Sequence, residues 1–157
     1  MRVYLGSDHA GLDLKQHLIG RLAERGDDPV DIGPAAMDPE DDYPPFCLHT
    51  AARVVADEGT LGIVLGGSGN GEQIAANKVP GIRAALAWNE ATARLSRQHN
   101  DANIVAIGAR MHSAEEAWLI TVAFLDTAFS GETRHRRRIQ QVTDYERDHV
   151  LPPLPAL

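Results

Sequence analysis

A glycine-rich loop with a glutamate directly after it is the feature of this sequence that most suggests chemistry. The stretch GIVLGGSGNGEQIAANK covers residues 62–78, and glycine stands at every second position from Gly67 to Gly71 before Glu72. Amide groups at the start of a helix stabilise negative charge. A carboxylate beside them suits a reaction in which a base removes a proton from carbon and donors hold the enediolate oxygen that forms. We therefore predict Glu72 as the base and the amides of residues 67–71 as the oxyanion hole; the alternative is a solvated glutamate that only complements the helix dipole.

Other interpretations of the loop fit less well. A nucleoside triphosphate loop needs lysine followed by serine or threonine, and the sequence has Glu72 and Gln73 at those positions. The dinucleotide fingerprint should open the first helix, whereas these glycines lie in the middle of the chain. A hydrolase nucleophile at Ser68 would need glycine where Asn70 stands. A tight turn whose glycines only permit positive φ remains an alternative.

Short apolar runs alternate with longer amphipathic runs along the whole chain. This pattern predicts strands at 2–6, 29–33, 61–67, 83–88 and 102–109. It predicts helices at 11–26, 47–59, 89–100, 113–129 and about 133–147, and another that begins at residue 70. Segment 34–46 is rich in proline and aspartate and indicates a loop, and a proline-rich tail covers 151–157. We expect one α/β domain over residues 1–157, with a Rossmann-like, doubly wound, five-stranded parallel sheet and helices on both faces.

Polar residues follow the predicted strands, where ligands bind in open parallel sheets. They are Ser7, Asp8 and His9 after the first strand, Asp41, Asp42 and Tyr43 after the second, Ser68, Asn70 and Glu72 after the third, and Arg110 and His112 after the fifth. His99 and Asn100 close the predicted fourth helix. We expect a binding site among these side chains.

Composition and charge exclude several classes of protein. The net charge of -7 argues against general nucleic-acid binding. No run of about 18 apolar residues that could span a bilayer occurs, and the N-terminus does not resemble a signal peptide, so we expect a cytoplasmic protein without a membrane partner. Cys47 is the only cysteine, which excludes an internal disulfide and a cysteine-rich zinc site. In the basic run RHRRR, Arg134 and Arg138 stand four residues apart, a spacing suited to gripping a phosphate, although such runs are usually solvated.

Four segments carry a resemblance to a known family. They are GSDHAG (6–11), LGGSGNGEQIAANKVPGIRAAL (65–86), RQHNDANIVAIGAR (97–110) and RHRRRI (134–139). Together they resemble the ribose-5-phosphate isomerase B family, whose relatives include galactose-6-phosphate isomerase subunits. The resemblance implies an isomerase of the pentose phosphate pathway that interconverts D-ribose 5-phosphate and D-ribulose 5-phosphate through an enediolate, without metal or cofactor. It also implies a homodimer, or a dimer of dimers, with each active site shared between subunits.

The resemblance also implies a role for each site residue. Asp8 and His99 would open the sugar ring. In the branch that actinobacterial sequences typify, with Ser68 and Glu72 in place of a catalytic cysteine, the glutamate is the base and the serine is a polar partner of the enediolate. The substrate-binding residues would be His9, Tyr43, Gly67, Gly69, Asn70, Gly71, Asn100, Arg110, Arg134 and Arg138.

Two other functions remain open at this point. A six-carbon sugar phosphate such as allose 6-phosphate could be the substrate, or the chain could be a non-catalytic domain that binds phospho-sugars. Single residues also have structural alternatives. Asp8 could cap the first helix, and His99 could complement the dipole at the end of its own helix.

Overall fold

A parallel sheet of five strands forms the centre of the molecule, and the computed structural model describes residues 1–154. The strands are β1 (Arg2–Ser7), β2 (Asp28–Gly33), β3 (Leu61–Gly66), β4 (Ala84–Leu86) and β5 (Ile104–Gly108). The helices are α1 (Leu12–Arg25), α2 (Tyr43–Ala56), α3 (Asn70–Ala76), α4 (Glu90–Asn100), α5 (Ala114–Leu125) and α6 (Thr133–Asp148). A short 3₁₀ helix, His9–Gly11, lies between β1 and α1. The predicted fold class is confirmed.

The two faces of the sheet bury alternate residues of the same strands. One face carries Val3 and Ile63 and packs against α1, α4 and α5. The other carries Tyr4 and Val64 and packs against α2 and α3. Successive side chains of a strand point to opposite faces, so a strand that is covered on both sides needs a continuous apolar run. This explains why β3 and β5, which are buried at every position, were recognisable as unbroken apolar segments.

The order of the strands creates a crevice at one edge of the sheet. The order is β2-β1-β3-β5-β4, so the chain leaves β1 for β2 on one side and later returns to β3 on the other side. Connections that leave in opposite directions open a crevice between the carboxyl ends of the two neighbouring strands at which they diverge, here β1 and β3. Those ends are Ser7 of β1 and Gly66 of β3, which are aligned in neighbouring register positions. The segment that begins at Asp8 and the glycine-rich loop therefore meet there.

Side-chain caps fix the start of two predicted helices. Asn89 accepts a hydrogen bond of 2.9 Å from the Thr92 amide, and Ser113 accepts one of 3.2 Å from the Glu116 amide. Both sites are capping boxes, in which the fourth residue also bonds back to the cap. The predicted starts at 89 and 113 are therefore the capping residues themselves.

Three helix boundaries differ from the prediction by three residues or more, and one of them is the end of α2, at Ala56 rather than at residue 59. Helix α2 begins at Tyr43, inside the segment 34–46 that we expected to be a loop, because Pro44 and Pro45 fall in its first turn, where a missing amide costs nothing. Helix α5 ends at Leu125 rather than at residue 129, and the Thr127 hydroxyl donates to the Ala123 carbonyl in its last turn.

The described part of the chain holds no helix with the length and apolar character needed to cross a bilayer. The last three residues of the predicted proline-rich tail, 155–157, lie outside the described residues.

Candidate active site

The glycine-rich loop leads from the carboxyl end of β3 into α3. Gly69 directly precedes α3 and has a φ of 81°, a conformation that favours glycine. At Gly71 glycine is needed for space, and at Gly67 the space for a side chain is narrow. A Cβ atom on Gly67 would lie 3.3 Å from the Arg110 guanidinium, and one on Gly71 would lie 2.7 Å from the Tyr43 ring. The loop therefore packs directly against two side chains that we predicted to contact substrate.

Glu72 lies in the first turn of α3 and is only 4% exposed. Its carboxylate occupies the space beside Gly66, where any Cβ atom would overlap it. Burial, followed by the charge of Asp8, raises the pKa of the Glu72 carboxyl, while the amides of Glu72 itself and of Gly69 act in the opposite direction. The alternative interpretation, a solvated glutamate, is therefore wrong. A buried carboxyl with a raised pKa is a stronger base than a solvated one, which suits the abstraction of a proton from carbon.

Asp8 follows β1 and is 8% exposed. Its Oδ1 accepts hydrogen bonds from the amides of Ala10, at 3.0 Å, and Gly11, at 3.2 Å. The capping role considered for Asp8 is thus present, although it serves the 3₁₀ helix rather than α1. Within residues 1–154 the second oxygen, Oδ2, makes no hydrogen bond, so it remains available to a ligand.

His9 lies beside Asp8 and is bound by the loop that follows β2. Its ring Nδ1 lies 2.7 Å from Asp41 Oδ1, and its backbone amide donates to the same oxygen at 2.9 Å. The hydrogen bond to Asp41 raises the pKa of the His9 imidazole; burial opposes it, the charges of Asp8 and Asp41 add to it, and Arg110 lowers it. His9 and Arg110 therefore lie near enough at the crevice for their charges to interact.

Ser68 is hydrogen-bonded within its own loop. Its hydroxyl accepts from the Asn70 amide at 3.4 Å and from the Asn70 side chain at 3.2 Å. Among the described residues no histidine or lysine hydrogen-bonds to this hydroxyl, so it lacks the adjacent base that a nucleophilic serine needs. The arrangement fits the predicted role of a polar partner.

A second group of predicted residues surrounds the end of α4 and the start of α6. These residues are exposed in the single chain, and they are His99, Asn100, Arg134 and Arg138. The His99 ring packs on His135 with 4.3 Å between ring centroids, and His135 is buried and pairs through Nδ1 with the Ser130 hydroxyl at 2.8 Å. Arg134 forms an exposed ion pair of 2.8 Å with Glu132. The group thus combines one histidine, one amide and two arginines on an open surface.

The two groups lie at opposite edges of the sheet. Helix α4 begins beyond the carboxyl end of β4 and returns antiparallel to the strands, and the Asn100 carbonyl accepts a 2.7 Å hydrogen bond from Arg83, the residue before β4. With 11 residues, α4 spans about 16 Å. Asp8 and His99, the predicted ring-opening pair, are therefore not brought together within one chain, and no hydrogen bond or ion pair joins the two groups in residues 1–154.

A cleft of about 650 Å³ also opens at the amino ends of the strands. Its lining includes Arg83, Arg97 and Asp101 and none of the predicted site residues. The guanidinium groups of Arg83 and Arg97 already donate to Asp101 and to backbone carbonyls. We place the candidate site at the carboxyl edge, where the unpaired functional groups are.

Cys47 lies in α2 with its side chain fully buried. Burial, followed by the charges of Glu72 and Asp8, raises the pKa of the Cys47 thiol to about 12. A thiol that stays protonated is a poor nucleophile, which fits the absence of a predicted role for it. The described residues contain no group of three or more side chains placed to hold a metal ion.

Comparison with known proteins decides the family. The family model described as Ribose/Galactose Isomerase matches residues 3–142. The chain belongs to this isomerase family. It is 57% identical over 156 residues to ribose-5-phosphate isomerase B of Mycobacterium tuberculosis, covering 99% of this chain and 96% of that protein. It is 38% identical over 145 residues to the Escherichia coli protein of the same name, covering 92% and 96%.

Solved structures of ribose/galactose isomerase family members have the same fold. The crystal structure of ribose-5-phosphate isomerase B from Mycoplasma genitalium with bound ribulose-5-phosphate superposes with a TM-score of 0.90. The two sequences are 39% identical, and the match covers 94% of this chain and 97% of the other. The family resemblance found in the sequence is thereby confirmed.

Sequence reasoning gave no role to three residues of the candidate site. Gly66 leaves the space for Glu72, Asp41 binds His9, and His135 supports the His99 ring. The double glycine after an apolar strand was a signal for Gly66, and the position of Asp41 after the second strand was a signal without an assigned role. Nothing in the sequence distinguishes His135 from its basic neighbours.

Proposed function

We propose that the chain is a ribose-5-phosphate isomerase that interconverts D-ribose 5-phosphate and D-ribulose 5-phosphate in the pentose phosphate pathway. The observation that carries the proposal is the buried Glu72 carboxylate beside the glycine-rich loop, at the crevice between β1 and β3. The family and the names of its close relatives support this assignment. Isomerisation of a six-carbon sugar phosphate such as allose 6-phosphate and non-catalytic binding of a phospho-sugar are the alternatives.

The reaction moves one proton between adjacent carbons. After Asp8 and His99 open the ring, Glu72 takes the C2 proton of the aldose and returns it to C1. The O2 hydroxyl loses its proton while O1 gains one, so the ketose forms without net change. The amides of residues 67–71 and the Ser68 hydroxyl hold the enediolate oxygen. In this scheme protein groups alone accept the proton and stabilise the charge of the enediolate, so the reaction uses neither metal nor cofactor.

We infer a homodimer in which each active site takes residues from both subunits. Asp8, Ser68 and Glu72 lie at the carboxyl edge, whereas His99 and Asn100 lie at the amino edge of the same chain. In a dimer with a two-fold axis, the carboxyl edge of each copy can lie against the amino edge of the other. Each site then contains the first group of one copy and the second group of its partner. The exposure of the second group in the single chain supports this arrangement.

The same arrangement divides the phosphate-binding groups between subunits. His9 and Arg110 of one chain would bind the phosphate together with Arg134 and Arg138 of the other. Asn100 would hold a sugar hydroxyl, and Tyr43 would line the pocket over the loop. We further propose that residues 1–157 act as one domain in the cytoplasm.

The proposal is tested by incubating the purified protein with ribose 5-phosphate in D₂O. We expect ribulose 5-phosphate with deuterium at C1, because a proton held on a carboxyl exchanges with solvent. Faster conversion of allose 6-phosphate would favour the six-carbon alternative, and binding without conversion would favour the non-catalytic domain. Failure to convert any of these sugar phosphates would contradict the proposed function.

A further inference from the structure

The loop between β2 and α2 contacts His9 through one carboxylate. Oδ1 of Asp41 accepts from both the His9 backbone amide, at 2.9 Å, and the His9 ring Nδ1, at 2.7 Å. The Asp41 side chain is only 11% exposed, and its Oδ2 has no hydrogen-bond partner among the described residues. A buried carboxylate with one unpaired oxygen is costly unless a positive charge lies beside it. The imidazole of His9 is the group placed to supply that charge.

Contacts at both ends hold this loop in place. Lys15 of α1 is fully buried, and its ammonium group donates to Asp31, at 2.5 Å, and to the Pro34 carbonyl, at 2.7 Å, where the loop begins. At the other end the Asp41 amide donates to the Asp38 carbonyl at 3.1 Å, two residues before α2 starts. The hydrogen bond from the His9 amide then ties Asp41 to the segment that follows β1.

The contact with Asp41 determines which ring nitrogen of His9 is left for a ligand. An ionised carboxylate only accepts hydrogen bonds, so Nδ1 carries the hydrogen and Nε2 remains free. The charged groups that face His9 are Asp8 beside it, Asp41 from the loop after β2, and Arg110 from the segment after β5. Two carboxylates favour the imidazolium form and one guanidinium opposes it. In that form Nε2–H is a donor for an anion, and an anion would also separate His9 from Arg110.

We propose that Asp41 is a positioning residue that orients His9 and keeps its imidazole protonated, so that Nε2–H binds the phosphate of the sugar substrate. The proposal rests on the proposed function, because the phosphate role of His9 belongs to it. Asp41 touches no reacting atom in this account. Its loss should therefore weaken substrate binding and leave turnover at saturation nearly unchanged, since the phosphate contact is equal in ground and transition states.

The orientation and protonation of His9 can be tested by nitrogen NMR of the histidine rings, without any substrate. The His9 signals are identified by their loss in His9→Gln. We expect Nδ1 to keep its hydrogen when His9 becomes neutral, and the titration midpoint to lie above 6.5. A neutral ring with the hydrogen on Nε2, or a midpoint at or below 6.5, would overturn the proposal. Because no turnover is measured, a failure of the proposed function leaves this test valid.

The effect of Asp41 on His9 and on substrate binding is tested with Asp41→Asn and the matched variant Glu40→Gln. Glu40 is exposed and its side chain makes no hydrogen bond among the described residues, so this variant removes the same charge one residue away. In Asp41→Asn we expect the His9 midpoint to fall and KM for ribose 5-phosphate to begin rising at lower pH. Between the two midpoints KM should increase several-fold while kcat stays within about twofold.

Glu40→Gln should follow the parent protein in both its KM profile and its His9 midpoint. Identical KM profiles and His9 midpoints in the two variants would contradict the role of Asp41, as would a loss of kcat at every pH with KM unchanged. If the protein does not turn over ribose 5-phosphate, the His9 midpoint of Asp41→Asn still decides the question. If Asp41→Asn does not fold, the ring measurements on the parent protein decide it alone.

Discussion

At the scale of single residues, Glu72 combines burial with the neighbouring charge of Asp8. Both effects favour the protonated carboxyl, so this glutamate holds a proton more tightly than a solvated one would. Keeping Glu72 ionised is unfavourable, and this residue lies beside the glycine-rich loop, whose amides can donate hydrogen bonds to a reacting oxygen. This combination is expected of a catalytic base and has no evident purpose for the fold.

Replacing this base tests its role directly. Glu72→Gln keeps the shape and removes the proton acceptor, so kcat should fall by a factor on the order of 10² to 10⁴ while substrate binding persists. Steady-state assays with ribose 5-phosphate measure the effect. Glu40→Gln, in the exposed loop before α2, is the matched control and should retain parental kcat. Near-normal turnover in Glu72→Gln would show that another group is the base.

The raised pKa of Glu72 has consequences for activity and stability. Activity needs the ionised form, so kcat/KM should fall on acidification with a midpoint above the ordinary 4.5. A carboxyl whose pKa is higher in the folded state contributes stability below its unfolded pKa and loses it as pH rises through the folded value. Glu72→Gln should therefore raise the free energy of unfolding at pH 7 relative to the parent, and by less at pH 4. Urea titrations at the two pH values check this, and an equal effect at both would contradict it.

The space beside Gly66 gives a second residue-scale prediction. In Gly66→Ala the new methyl group must displace the Glu72 carboxylate, so kcat should fall while the protein stays folded. In a Glu72→Gln background the same change should cost little more, because the displaced group is already inactive. Gly20→Ala, on the open side of α1, meets nothing within 4 Å and should keep full activity. If Gly66→Ala lowered kcat by the same factor in the parent and in the Glu72→Gln background, its effect would not act through Glu72.

Sequence reasoning named the candidate residues with reactive groups but gave no role to the residues that position them. Glu72, Asp8 and His9 were recognisable because polar residues at strand ends are conspicuous. Gly66 and Asp41 act through space and through a loop contact across 32 residues, which depend on the folded geometry. No local pattern in the sequence encodes such contacts.

At the scale of elements, the first turns of α6 carry the two arginines predicted to bind phosphate. Arg134 and Arg138 are one helical turn apart and exposed, and Arg138 forms no ion pair among the described residues. Their neighbour Arg136 lies on the other side of the helix and donates to the Gly131 carbonyl at 2.8 Å. Arg134 and Arg138 therefore share one exposed face of α6, whereas Arg136 lies on the opposite face and contacts the chain before the helix.

Arg138→Ala should raise KM for ribose 5-phosphate by roughly ten- to a hundredfold, because a charge-assisted contact of about 1.5 to 3 kcal/mol is lost. Inorganic phosphate should also inhibit this variant less than the parent. Arg136→Ala is the control on the opposite side and should leave KM unchanged. Unchanged KM and unchanged phosphate inhibition in Arg138→Ala would show that Arg138 does not bind the phosphate and that the basic run is a solvated surface.

Element boundaries were predictable where a side chain caps the helix. Asn89 and Ser113 satisfy exposed amides and mark their helices clearly. The start of α2 was missed because Pro44 and Pro45 usually indicate a loop, yet both are compatible with a first helical turn. The consequence is functional, since Tyr43 is held on a helix against the glycine-rich loop rather than on a flexible segment.

At the scale of the whole molecule, the sheet separates the two halves of the predicted site. The alternating pattern of strands and helices was enough to predict the parallel sheet and the edge that carries Glu72. It did not show that α4 returns His99 to the opposite edge, because this depends on the direction of the helix relative to the strands. Both His99 and Arg138 lie in the second group, next to His135. The site that we propose therefore combines the first group of one chain with the second group of another.

Mixed dimers test this account most directly. Glu72→Gln and His99→Ala are each expected to be inactive as homodimers, but a heterodimer of the two has one site with both residues intact. Purified heterodimers with distinct affinity tags should regain about half of the parental activity toward ribose 5-phosphate, one site of two. Heterodimers of His99→Ala with Arg138→Ala should regain none beyond the Arg138→Ala level, because both residues come from the same chain's group. Verified Glu72→Gln/His99→Ala heterodimers that remain as inactive as the homodimers would contradict the shared isomerase site.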